Sequence, residues 1–99
     1  MEFCAYTFEK PEVWKDAREL VKMIYRLKGN FPPSELYGLT SQMRRAAVSI
    51  SYNLSEGSGR THSKKQAHFY QIAYSGSIEL LNELILSLDL AYITFGEYQ

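Results

Sequence analysis

The chain has 99 residues, and its eleven Lys and Arg are balanced by eleven Asp and Glu, so the formal net charge is zero. This length supports one domain, and folding at this size buries roughly 65% of the surface that the unfolded chain exposes, enough for one modest core. The single Cys4 excludes an internal disulfide and MEFCAYTFEK lacks the basic-then-apolar layout of a secretory leader, so a reducing cytoplasm is the expected setting.

The zero net charge conceals an asymmetry. All eleven cations lie between Lys10 and Lys65, and beyond them the only charged side chains are Glu79, Glu83, Asp89 and Glu97. A dipolar surface of this kind favours a polyanion partner or head-to-tail self-association. The longest apolar-rich tract, residues 78–95, contains Glu79, Asn82, Glu83 and Asp89, and each charge at the centre of a bilayer costs roughly 3 kcal/mol, so no membrane partner is expected.

In chain order, residues 1–9 read as an irregular arm with Phe8 beside the first helix. Pro11 suits a first helical turn, and Val13, Ala17, Leu20, Ile24 and Leu27 then recur at spacings of four and three, closed by Gly29-Asn30 and Pro32-Pro33. A second helix is predicted from about Leu39 to Ser55, with Thr40 or Ser41 as N-cap and Gly57-Ser58-Gly59 as its end. Its seam of Leu39, Met43, Ala46, Ile50, Asn53 and Gly57, with Ala47 and Ser49 beside it, is small enough for another helix to approach closely. The third helix opens on Ser63-Lys64-Lys65-Gln66, an S-x-x-Q capping box, and runs to about Tyr92. It carries two apolar seams: Phe69, Ala73, Gly76, Leu80 and Leu84, and Tyr74, Ile78, Leu81, Ile85, Leu88 and Tyr92. Both seams require cover.

An ordered set of motifs spans nearly the whole chain. It comprises Phe8-Glu9-Lys10 with Val13-Trp14, then Tyr37-Gly38-Leu39-Thr40-Ser41-Gln42 and Arg44 to Ile50 (RRAAVSI). Asn53, Glu56 to Arg60 (EGSGR), Ser63-Lys64-Lys65, Glu79-Leu80 and Tyr92-Ile93 complete it. In these the chain resembles the four helix bundle protein family, also described as 23S rRNA intervening-sequence proteins, whose relatives include accessory subunits of diversity-generating retroelements. Ser51 stands where the family usually has proline, and Ser55 where it usually has alanine. The resemblance implies an all-α, left-handed antiparallel up-and-down bundle. Three helices are expected in this chain, with the family's fourth helix missing after Gln99. It further implies a homo-oligomer, often a ring-like pentamer, and in the retroelement relatives binding of nucleic acid and a reverse transcriptase.

Two candidate surfaces follow. Arg44, Arg45, Arg60, Lys64 and Lys65, with His62 and His68 nearby, form a candidate RNA- or DNA-binding surface to which Tyr52 and Tyr70 add stacking faces. The alternative is a solvated helix face with Arg44 or Arg45 paired to Glu56 or to acids of the third helix. The candidate oligomer interface comprises Ala46, Ala47, Leu81, Ile85 and Leu88. Arg45, Ser49, Tyr52 and Glu56 share one stripe of the second helix, where Glu56 is expected to brace the Gly-rich turn. Glu79 and Glu83 have the i, i+4 spacing of a carboxylate pair, but the chain contains no Glu-x-x-His and its two histidines are six residues apart, so neither metal nor cofactor is expected. Cys4 has no neighbouring His, and GSGR lacks the Lys-Ser/Thr ending of a phosphate loop. The expectation is therefore a non-enzymatic protein, either nucleic-acid-binding or a structural scaffold for protein–protein contacts.

Overall fold

The computed structural model describes residues 12–27 and 31–94. The expected arm, with Phe8 and Cys4, lies outside the described residues. Among the described residues there are three α-helices: α1 (Glu12–Arg26), α2 (Leu39–Ser58) and α3 (Ser63–Asp89), with a 3-10 turn at Pro33–Tyr37 between the first two. No strand is found among the described residues. No helix among them is long and apolar enough to cross a membrane.

The all-α fold is as expected, and α2 is its centre. Met43, Ala46, Ala47 and Ile50 of α2 meet Ala17 and Ile24 of α1 on one side and Leu80 of α3 on the other, in one core cluster. The close approach of α3 depends on missing side chains. A Cβ at Gly76 would stand 3.1 Å from Ile50 Cγ1, and one at Gly57 would stand 2.6 Å from the ring of Tyr70. Tyr70 packing on Gly57, Gly76 on Ile50, and Ser87 reaching Met43 Sδ at 3.9 Å show that α2 and α3 run antiparallel. Helices α1 and α3 both pack on α2 and touch each other little.

The small-residue seam is consumed inside the chain. Ala47 is fully buried and Ala46 nearly so, which places both alanines of the expected oligomer interface in the intrachain core instead of on a free surface. Leu81 and Ile85 are exposed, and Leu88 is half-buried.

Several helix ends differ from expectation. The N-terminus of α2 is capped by neither Thr40 nor Ser41: Gly38 holds the N-cap position, and the Leu39 N–H donates to Glu35 Oε1 at 3.0 Å. The carboxylate from the preceding turn reaches the free amide, which also suits the positive end of the helix dipole. Helix α2 continues through Gly57 to Ser58, and the Tyr70 ring occupies the space that a side chain at Gly57 would need. At α3 the capping box does not form. His62 is the N-cap, with no side-chain cap, and Gln66 Nε2 instead donates to Gly57 O at 3.2 Å, tying the start of α3 to the end of α2.

Helix α3 stops at Asp89, short of Tyr92. Ala91 has φ 61°, its N–H donates to Leu88 O, and the Tyr92 N–H donates to Ser87 O, which is the Schellman pattern of helix termination. Tyr92 leaves the helix, lies 5.3 Å from the Phe31 ring and donates its hydroxyl to Glu35 Oε2 at 3.3 Å. Glu35 thus links the start of α2 to the end of α3. An alanine in the left-handed region costs about 1 kcal/mol relative to glycine. Ala91→Gly is therefore expected to raise the unfolding free energy by about that amount in urea titrations; a loss of stability would contradict this account of the turn.

Candidate nucleic-acid interface

The five cations expected to act together are divided by the fold into two groups, about 20 Å apart along the rise of α2. Near the first turns of α2, the one-residue step from Arg44 to Arg45 rotates the side chain by about 100°, so the two have different neighbours although both line the hollow beside Tyr25 and Tyr37. Arg44 turns to α1: its guanidinium carbon lies 4.8 Å from the Tyr25 ring centre, Nη2 donates to Tyr25 O at 3.5 Å, and Nε is buried with no hydrogen-bond partner among the described residues. Arg45 is exposed and lines an open hollow of about 330 Å³ between α2 and α3, together with Ser49, Gly76 and Glu79. No ion pair joins Glu79 to either arginine among the described residues.

At the junction of α2 and α3, the remaining three cations do come together. Arg60 follows Gly59, the C-cap of α2, Lys64 and Lys65 occupy the first turn of α3, and the three line one hollow of about 320 Å³ with His68 and Phe69. Arg60 is held by Glu56 through a 2.7 Å ion pair, and its guanidinium carbon lies 5.1 Å from the Phe69 ring centre. The role expected of Glu56, bracing the Gly-rich turn, is carried by this pair. The His68 ring meets Phe69 edge-on at 5.5 Å. Lys64 and Lys65 form no ion pair among the described residues and are exposed. Their positions on the first turn of α3 add free backbone N–H groups and the positive end of the helix dipole to the two ammonium charges. That combination attracts phosphate.

A second basic surface involves residues that the sequence did not single out as a site. Along the outer side of the α1/α2 pair, one open hollow of about 420 Å³ is lined by Arg18, Lys22, Val48 and Tyr52. Another, of about 530 Å³, is lined by Tyr25, Tyr37, Arg44, Arg45 and Val48. Val48 lines both, so the two hollows adjoin along the α1/α2 groove. Arg18 and Lys22 were visible as polar positions on the first helix, but pairing them with Tyr52 and Tyr37 requires the register of α1 against α2.

One ionisable group stands apart. Glu83 lies on the α2-facing side of α3 with Leu80 and Ser87, is only 4% exposed, and has an Oε1 atom without a hydrogen-bond partner among the described residues. Burial first, and the nearby Glu79 charge second, push its carboxyl up to about 7. Its neighbour Glu79, one turn away, remains exposed.

An antiparallel helical bundle with cationic surfaces at the α2–α3 junction and along α1/α2 is the class that this geometry defines. The chain belongs to the 23S rRNA-intervening sequence protein family, whose model matches residues 9–99. No curated protein matches it.

Proposed function

We propose that the protein is a non-catalytic, homo-oligomeric bundle that binds RNA or DNA through its basic surface as an accessory to a larger machine, in the manner of its reverse-transcriptase-associated relatives. The observation that carries this reading is the α2–α3 junction, where Lys64 and Lys65 are exposed, without ion pairs among the described residues, and beside Arg60 and His68. Cations left uncompensated on one turn suit a ligand with successive phosphates. Arg60 serves here as a positioned donor, held between Glu56 and Phe69, and Arg44 and Arg45 extend the positive potential toward the other end of α2.

Lys64→Gln with Lys65→Gln is expected to weaken binding of a mixed-sequence RNA about tenfold at moderate salt, since a phosphate that meets a neutral amide keeps its condensed counterions and their release no longer favours binding. Fluorescence anisotropy is the readout. Both side chains are exposed, so the melting temperature should not change; unaltered affinity in the double variant would overturn the assignment.

A second reading, a protein–protein scaffold without nucleic acid, is favoured by a different observation. Tyr74, Ile78, Leu81 and Ile85 stand on one stripe of α3 and are all exposed. The same stripe supports self-association, and the resemblance to ring-forming relatives points to a pentamer.

A further inference from the structure

We infer that the groove between α1 and α2 is a binding site for unpaired nucleotides and that it makes the protein prefer single-stranded over duplex nucleic acid. The inference rests on the nucleic-acid reading above but involves a different surface and a different kind of contact. The groove combines two features. Arg18, Lys22, Arg44 and Arg45 line it, and no acidic side chain among the described residues does, which gives it the charge complement of a polyanion. Tyr25, Tyr37 and Tyr52 line it as well, with Tyr37 89% and Tyr52 58% exposed, so both rings remain largely open to solvent.

Two of the cations are already fixed in place. Arg18 lies 5.0 Å from the Trp14 ring centre and Arg44 lies 4.8 Å from that of Tyr25, so part of the ordering cost of these long side chains is met before a ligand arrives. Lys22 is held at 2.8 Å by Glu19, an exposed pair that a phosphate can displace at little cost. From Arg18 to Tyr25 the groove follows α1 for about 10 Å, enough for a short tract of strand.

The tyrosines decide the form of the ligand. A duplex hides its base faces in the stack and offers a protein its phosphates and groove edges, so exposed phenol rings gain little from it. Unpaired bases present both faces, and stacking on an aromatic side chain contributes roughly 1 to 3 kcal/mol per base. An acidic peptide would satisfy the cations but would leave the rings without flat partners.

The test uses the full chain and three fluorescent probes: oligouridine RNA, a duplex RNA of matched phosphate content, and an oligoglutamate peptide. The single strand is expected to bind about tenfold more tightly than the duplex. Tyr37→Leu with Tyr52→Leu should remove that preference, and Tyr37→Phe with Tyr52→Phe should retain it. Since both rings are exposed, circular dichroism should be the same for all variants. Equal binding of strand and duplex, unaffected by the leucine variants, would overturn the inference. If that binding still weakens about tenfold in the Lys64→Gln, Lys65→Gln variant, the nucleic-acid reading survives. Failure of both RNAs to bind would overturn the two together, and binding of oligoglutamate alone would assign the groove to an acidic protein partner.

Discussion

Glu83→Gln is expected to stabilise the protein at pH 8 by on the order of 2 to 3 kcal/mol and to leave its stability at pH 4.5 nearly unchanged. The carboxyl is buried, one of its oxygens has no partner among the described residues, and its folded-state value is raised from 4.5 to about 7. Between those two values the folded chain holds a proton that the unfolded chain has released, so stability falls as pH rises. The loss is complete above about 7, where the charged form must be accommodated in the interior next to Glu79. The amide never ionises and escapes that cost. Urea unfolding at a fixed protein concentration across this range gives the slope directly. A parent protein with flat stability, or a variant that keeps the parent's slope, would show that Glu83 is solvated or paired.

Ile85→Glu is expected to dissociate the proposed homo-oligomer. Tyr74, Ile78, Leu81 and Ile85 recur at spacings of four, three and four on α3, are 44% to 65% exposed, and lie on a different side from Leu80 and Ser87, which are buried against α2. At roughly 25 cal/mol per Å², covering 400 Å² of apolar surface contributes about 10 kcal/mol of gross burial, comparable to the net stability of a small domain. A carboxylate near the centre of such an interface would have to be desolvated or left out of it. Light scattering over a concentration series should find the parent above monomer mass at micromolar concentration and the variant smaller. A folded parent at monomer mass would remove the basis for this prediction.

Helices were legible in the sequence because each carries an unbroken 3.6-residue pattern. Of the seam of Leu39, Met43, Ala46, Ile50, Asn53 and Gly57, all but the half-buried Leu39 at the helix start are buried as their spacing required. The pattern could not decide between the two apolar seams of α3. Ala73 and Leu80 of the first are buried on α2, while Ile78, Leu81 and Ile85 of the second are exposed. The choice depends on glycine: Gly76 lies in the first seam and lets α2 come close.

Helix caps were less legible, because a local motif competes with any side chain that tertiary structure brings near. Glu35 and not Thr40 or Ser41 satisfies the first amide of α2, and Gln66 reaches Gly57 O and not its own helix start. The candidate site was legible in composition but not in arrangement. Proximity in sequence suggested one cluster from Arg44 to Lys65, whereas the rise of α2 separates Arg44 and Arg45, which line one hollow together, from the junction. The α1/α2 groove was not legible, since Arg18 and Tyr52 meet only once the antiparallel register is known.

The measurement that tests the central claim most directly is the salt dependence of RNA binding by the unmodified protein. Phosphate contacts by Arg60, Lys64 and Lys65 predict that log K falls linearly with log salt, with a slope of about −2 for three contacts to a single strand. Absence of binding at low salt, or an affinity that does not change with salt, would contradict it.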